Sequence, residues 1–503
     1  MLGKAFGAGS GERFAAIVWP FLTFAAAFAG LLTAVRRASF SDNMLPAFII
    51  GGFALTGSGV FESGVIDHHN VQLALTIWLI ALLMPSKVPM RDFAIAGVIM
   101  SLMLAIGMES LPTVVAGAAA IVLRLVLEGE DMAEPARRFG LALALSVAAL
   151  YLGLTGPQNY AAAYCDSFSA YQLVCAEAGG LLLYGLLHPS ARKFVPAPLI
   201  SAPLMAGAGA LVLALIFFPQ CLADPNSAID PVLRKFWFDQ VIETQSAFQI
   251  AKLDPWLLPY MYVLPILAAA ACAWQLVKAS NRGVWATLLL FIAVTSAVTL
   301  LQLRGTQYAT PVAALALAII VTRFGEDHGQ KRPLALLGAM LASCVLVWKF
   351  IITGAIALFS NGETGPLIAS GAEKQPPLCE SPASIATLNA QPATLVAGSN
   401  NLGPLFLLST GHRVLSGPYH RNVEGNLAWI NSMIGTPEQA RSILKSAKVG
   451  MLAICPSDPD EASLMGAAPD GFLRLLVSGK SFDWLQPVAG TTENPLRLWR
   501  FAG

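Results

Sequence analysis

The chain has 503 residues, 56% of them apolar and 12% charged, with a net charge of +1 and a mean hydropathy of +0.64. A soluble domain carries about a quarter charged residues, so this composition excludes an ordinary soluble enzyme and points to a polytopic membrane protein. A near-neutral balance without a basic tract excludes a nucleic-acid partner.

Met1 to Glu12 is Gly-rich and polar and the first apolar run is long enough to span, so no cleavable signal peptide is expected. Apolar runs of spanning length stand at 14–34, 44–61, 71–84, 93–109, 111–126 and 140–156. Six more follow at 170–187, 198–219, 257–277, 284–301, 307–322 and 333–358. The run at 71–84 is short, so it either extends into the Asp67 segment or is shielded by protein. From Asn361 onward, β-like runs at Thr394–Ala397, Arg413–Leu415 and Val449–Ile454 alternate with helical stretches at Pro437–Ala447 and Glu461–Met465. The expected architecture is mainly α: a helix bundle of about twelve spans over 1–359, then an α/β domain over 360–503 with its own core.

Basic residues predict the topology. If all twelve runs span, the loops carrying Arg36/Arg37, Lys87/Arg91, Arg137/Arg138, Arg192/Lys193, Lys278/Arg282 and Arg323/Lys331/Arg332 fall on one side, which the positive-inside rule makes cytoplasmic. The outer face then holds the Asp67 segment, the Glu109 turn, the Cys165-Asp166 loop, the loop at 220–256, Arg304 and the C-terminal domain. Cys379 and Cys455 could pair there in an oxidising compartment. Cys165 and Cys221 both fall in outer loops, but spacing does not give their pairing.

Asp67-His68-His69-Asn70 stands at the foot of an apolar helix. A carboxylate and two imidazoles are costly beside hydrocarbon and seldom persist there without a task. One turn of backbone brings such a mixed O/N donor set to a single cation of the Mn²⁺ or Mg²⁺ kind. Loop packing or capping is the plainer use of His68 and His69. Two further outer elements can join the same reaction: Glu243, within Gln240 to Ser246, and Arg304, within Gln302-Leu303-Arg304-Gly305-Thr306-Gln307-Tyr308. A metal and a fixed Arg facing lipid are what activation of a phosphate leaving group requires.

At these residues the chain resembles the GT-C superfamily of membrane glycosyltransferases, most closely the catalytic subunit of oligosaccharyltransferase. Asp67-His68-His69 is similar to that family's second acidic motif, whose archaeal form is also D-H-H and whose Asp and second His bind the metal. Glu243 to Gln245 is similar to the family's loop motif with a functional Glu, although Gln240-Val241 replaces Thr-Ile and Ser246 replaces Pro. Arg304 matches in position the Arg that contacts the lipid pyrophosphate. The resemblance implies a GT-C-like bundle and a divalent metal. It also implies a polyprenyl-linked sugar donor as partner and transfer at the outer face of a bacterial inner membrane, with the C-terminal domain periplasmic.

Two departures qualify what the resemblance implies. No residue ahead of Asp67 supplies the family's first acidic motif, since Asp42 is predicted cytoplasmic and the other early acids are Glu12 and Glu62. Topology also puts Met1 outside, so a helix and acidic loop are expected to be missing from an N-terminally truncated chain. In the C-terminal domain the family's W-W-D-Y-G acceptor motif is replaced by Gly417-Pro418-Tyr419-His420-Arg421-Asn422. Transfer to protein Asn is therefore not expected; the acceptor is unassigned, with a lipid, glycan or other periplasmic molecule in view.

Other polar positions carry two readings each. Glu109 is a further metal or base group, or it caps the helix that Pro112 opens. Asp166 approaches the site or hydrogen-bonds within its loop. Asp224, Asp230 and Asp239 read as solvated loop positions, and Arg234, Lys235 and Trp237 as an interfacial stretch. Arg304 lines a cavity with Gln302, Gln307 and Tyr308, or snorkels to headgroups. Tyr419 to Asn422 faces the acceptor or is a satisfied loop.

The expected activity is glycosyl transfer from a polyprenyl-phosphate- or pyrophosphate-linked donor. Asp67 and His69 hold the metal, while Glu243, Glu109 and Asp166 are the catalytic candidates. His68, Gln302, Arg304, Tyr308, Tyr419, His420, Arg421 and Asn422 are the substrate-binding candidates. A secondary transporter is the rival from another class, but internal repeats are lacking and the polar groups lie at one face rather than at the midplane. A non-catalytic relative that only binds a partner is the third reading.

Overall fold

The structure is a computed structural model that describes residues 8–39, 41–85, 89–222, 229–279, 281–328, 331–359, 378–491 and 494–502. Lys87 and Asp224 lie outside these residues, as does the chain just beyond the expected domain boundary at 359/360. The chain divides into two compact units, Met1–Pro225 with Ser246–Pro366, and Asn226–Gln245 with Leu367–Gly503.

In the first unit every expected apolar run carries a helix. In chain order these are α1 (Ala8–Ser39), α2 (Leu45–Thr56), α3 (His68–Leu83), α4 (Met90–Ile106), α5 (Leu111–Glu128), α6 (Ala133–Leu154), α7 (Ala170–Leu186) and α8 (Pro198–Phe217). After the segment that belongs to the second unit come α9 (Leu257–Lys278), α10 (Arg282–Leu301), α11 (Thr306–His328), α12 (Pro333–Ser343) and α13 (Val345–Phe359). Among the described residues six helical stretches are long and apolar enough to cross a bilayer, one of them joining α5 and α6; the α12–α13 pair, bent by 70°, makes a seventh if it is one span. Helices α2, α3, α4 and α7 have 12, 16, 17 and 17 residues, below the ~20 that the hydrocarbon core demands. The expected count of twelve is therefore not supported by helix length. The unit is nonetheless that of a multi-pass membrane protein.

Without water between helices, close packing of small residues does the work of association. Gly140 on α6 and Gly180 on α7 meet backbone to backbone: a Cβ at Gly140 would stand 2.5 Å from the Gly180 carbonyl oxygen. At the end of α3 remote from Asp67, arginines satisfy orphan carbonyls. Arg124 is fully buried, donates to the carbonyls of Leu83 (2.6 Å) and Pro85 (2.9 Å), and forks onto Glu128. Arg37 pairs with buried Asp92 at 2.7 Å and donates to Ala81, and Arg323 donates to the Ala38 carbonyl. A positive charge at a helix C-terminus complements the macrodipole. Cys165 and Cys221 are disulfide-bonded, tying the loop after α6 to the turn after α8.

The second unit is built on a mixed five-stranded sheet in the order β2-β1-β3-β5-β4. Strands β1 (Leu395–Ala397), β2 (Arg413–Val414) and β3 (Met451–Ile454) pair in parallel, and β5 (Arg497–Phe501) is antiparallel to β3 and to β4 (Leu485–Pro487). Its core is aromatic, with Trp429, Phe472, Trp484 and Trp499 packed on Leu452 and Ile454. Leu233 of the 226–245 segment packs into the same core, and Asp230 caps its short helix Pro231–Phe236. A second disulfide joins Cys379 to Cys455.

Candidate metal and headgroup site

Asp67 begins α3 as its N-cap. Its side chain accepts from the His69 N–H while Asn70 reaches back to the Asp67 N–H at 3.0 Å, a reciprocal capping box. Capping does not preclude a ligand role, because the cap is what turns the carboxylate toward the first helical turn. Asp67 Oδ1 is 2.5 Å from His68 Nδ1, and one ligand atom from each of Asp67, His68 and His69 fits within 4.8 Å of the others. The hydrogen bond to His68 holds the Asp67 carboxyl down at about 2, against a smaller opposing effect of burial.

Glu109 arrives from the 3₁₀ turn Met108–Ser110 between α4 and α5, with one carboxylate oxygen 3.5 Å from His68 Nε2 and the other 3.9 Å from an Arg304 nitrogen. Arg304 lies in the turn Leu303–Gly305 between α10 and α11, and its Nε donates to Gln302 Oε1 at 2.7 Å. Tyr308, on the first turn of α11, is buried; its hydroxyl donates to Gln72 Oε1 at 2.8 Å and lies 3.1 Å from His69 Nδ1. Thus Asp67, His68, His69, Glu109, Gln302, Arg304 and Tyr308 form one contiguous network from three parts of the chain. It pairs a mixed donor set for a divalent cation with a guanidinium that can take an anionic ligand.

Asp166 follows Cys165 in the disulfide-tied loop. Glu243 belongs to the second unit, exposed on the turn Ile242–Thr244. Tyr419, His420, Arg421 and Asn422 are there too. Tyr419 is exposed against His420, and with Leu407, Arg421 and Asn422 it lines a surface groove of about 570 Å³. Asn422 donates to the Leu415 carbonyl at 2.9 Å and to Asn426, which in turn holds Gly417 and Tyr419.

Two positions were not singled out from sequence. Gln72 is fully buried, and a buried amide in an apolar helix was the available signal. Gly107, just before Glu109, is the other: a Cβ there would stand 2.6 Å from Gln72 Nε2, 2.8 Å from Glu109 Oε2 and 3.2 Å from the His68 ring. Nothing in the local sequence shows that three side chains converge on it.

Neither protein-family models nor curated proteins match this chain in sequence. Solved structures do match in fold. The archaeal oligosaccharyltransferase AglB from Archaeoglobus fulgidus, in complex with an inhibitory peptide and a dolichol-phosphate, superposes with a TM-score of 0.63 at 14% identity over 97% of this chain and 63% of that one. The crystal structure of the Archaeoglobus fulgidus oligosaccharyltransferase with Zn and sulfate gives a TM-score of 0.61 at 14% identity, over 100% of this chain and 63% of that one. The same enzyme tethered to an acceptor peptide containing the NVT sequon gives 0.60 at 14% identity, over 97% and 63%. This chain spans 63% of the length of those chains. The chain has the fold of these oligosaccharyltransferase structures, and at this identity the likeness is one of fold alone.

Proposed function

We propose that the protein is a membrane glycosyltransferase of GT-C type that moves a sugar from a polyprenyl-phosphate- or pyrophosphate-linked donor to an acceptor at the outer face of the membrane. The observation that carries this reading is the Asp67-His68-His69 cluster joined through Glu109 to Arg304. The fold supports it, since the neighbouring structures hold a dolichol-phosphate in one case and an acceptor peptide in another.

The donor set, one carboxylate oxygen and two imidazole nitrogens within 4.8 Å, fits a divalent cation such as Mn²⁺ or Mg²⁺. Asp67 and His69 would hold it, with His68 beside them; when bound, the cation supplies charge neutralisation for the donor phosphate. Arg304, oriented by Gln302, takes the charge that grows on the phosphate oxygens as the sugar–phosphate bond breaks. Glu109, between His68 and Arg304, would orient the acceptor. Glu243, Asp166 and the Tyr419–Asn422 loop remain candidates for acceptor contacts.

The location we propose is a bacterial inner membrane with the C-terminal domain periplasmic. Two disulfides, Cys165–Cys221 and Cys379–Cys455, sit in segments that the basic-loop pattern assigns to the outside, where such bonds persist.

Radiolabelled sugar transfer from a lipid-linked donor in detergent, with Mn²⁺ and after chelation, tests the reading beside substrate flux in liposomes. Metal-dependent transfer supports it, flux without transfer favours a transporter, and neither activity favours a partner-binding role.

A further inference from the structure

The protons around His69 can be placed from the geometry alone. Gln72 Nε2 lies 3.2 Å from the Gly107 carbonyl oxygen, a contact that an amide nitrogen satisfies and an amide oxygen would not. Gln72 Oε1 must then be the atom facing His69 Nδ1 at 3.1 Å and the Tyr308 hydroxyl at 2.8 Å. An amide oxygen only accepts. The Tyr308 O–H therefore donates to it, and Nδ1 must carry a hydrogen, since a bare ring nitrogen at that distance would set two lone pairs against each other. The Nδ1–H is shared with the Tyr308 oxygen, also at 3.1 Å. This leaves Nε2 as the nitrogen of His69 with a lone pair to give.

We propose that Gln72, seconded by Tyr308, is a positioning residue that locks His69 as its Nδ1–H tautomer and so commits Nε2 to cation binding. This rests on the reading of Asp67 and His69 as metal ligands. Gln72 joins α3 to the Gly107 turn that carries Glu109, and Tyr308 brings α11 to the same point, so one buried amide sets the ring and ties together three elements of the site. Partners of this kind fix a ligating imidazole's tautomer and rotation, and their loss typically costs ~10- to 100-fold in metal affinity.

The test uses the full-length protein in detergent. In the metal-free wild type, ¹⁵N-histidine NMR should show the Nδ1–H form at His69, identified among six histidines by its loss in His69→Asn. Mn²⁺ binding followed by electron paramagnetic resonance should weaken ~10- to 100-fold in Gln72→Leu. Gln72→Glu, which keeps an acceptor for Nδ1–H but sets an oxygen against the Gly107 carbonyl, should restore only part of that affinity. If Gln72→Leu does not fold, Tyr308→Phe, which removes one hydroxyl, should still weaken binding several-fold. A proton on Nε2 in the wild type, or unchanged Mn²⁺ affinity in both Gln72→Leu and Tyr308→Phe, overturns the proposal. A wild type that shows the Nδ1–H form yet binds no Mn²⁺ supports the tautomer lock and overturns the cation reading instead.

Discussion

At the residue scale, the two charges proposed to act on the donor are held in different ways. Asp67 is fixed by its own helix as a cap, whereas Arg304 is fixed by one neighbour, Gln302, and by a longer approach to Glu109. Hydrogen bonds to charged groups contribute about 1.5–3 kcal/mol, so Arg304→Ala should lower kcat/KM for the lipid-linked donor by roughly 10- to 100-fold. Arg304→Lys should recover only part of the loss, because an ammonium lacks the planar fork that grips two phosphate oxygens. Equal kcat/KM in the Ala variant and the wild type would remove Arg304 from the site.

A second residue-scale outcome concerns acid groups in the C-terminal unit. Asp458 caps the helix Pro459–Ala467 and accepts from Ser399 at 2.7 Å, while fully buried Glu461 accepts from the Cys455 N–H at 2.9 Å. Burial, with nearby Asp458 adding to it, pushes Asp460 up to about 6 and Glu461 well above the usual carboxyl range. Both groups bind their protons more tightly folded than unfolded, so their stabilising effect is full below the unfolded value near 4 and is lost as pH rises through the folded value. Hydrogen-exchange protection of β1 and β3 should therefore increase from pH 8 to pH 5. Glu461→Gln should flatten that dependence and raise protection at pH 8; an unaltered pH profile in this variant would contradict the assignment.

At the element scale, the polar network depends on where helices begin rather than on what they contain. Helix α3 starts at Asp67 because of its capping box, and the turns at Met108–Ser110 and Leu303–Gly305 interrupt long helical stretches at the same place. Such breaks are tolerated in membrane proteins where they line a cavity or are covered by protein. The crossing of α6 and α7 should be a sensitive packing point. Gly140→Ala forces a Cβ to 2.5 Å from the Gly180 oxygen and should destabilise by about 1–3 kcal/mol in thermal unfolding. Gly153→Ala on the same helix meets open space and should be near neutral, which makes it the control.

At the scale of the whole molecule, the proposed topology puts the two disulfides outside and the arginine-rich loops inside, and this can be tested directly. An alkaline phosphatase reporter fused after the C-terminus should be active in a bacterial host, whereas one fused after Arg138 should not. The bond between Cys379 and Cys455 closes a loop of 76 residues. A disulfide closing a loop of this size stabilises the fold by about 4.5 kcal/mol through the unfolded chain, so Cys379→Ser should lower the unfolding midpoint of the C-terminal unit and an intact midpoint would refute a structural role.

The amino-acid sequence by itself determined that this is a membrane protein, where its helices run, and that Asp67-His68-His69 is its most costly polar cluster. Those properties follow from local composition and period, which are readable along one stretch of chain. The resemblance carried by the same few residues also anticipated the GT-C fold. Tertiary structure alone decided that Glu109 and Arg304 reach this cluster, that Cys165 takes Cys221, and that Gln72 and Gly107 pack against the same residues. It also decided that residues 226–245 fold with the C-terminal unit. Each of these is a meeting of segments tens to hundreds of residues apart, fixed by helix packing and by buried groups finding hydrogen-bond partners. No spacing along the chain encodes such a meeting.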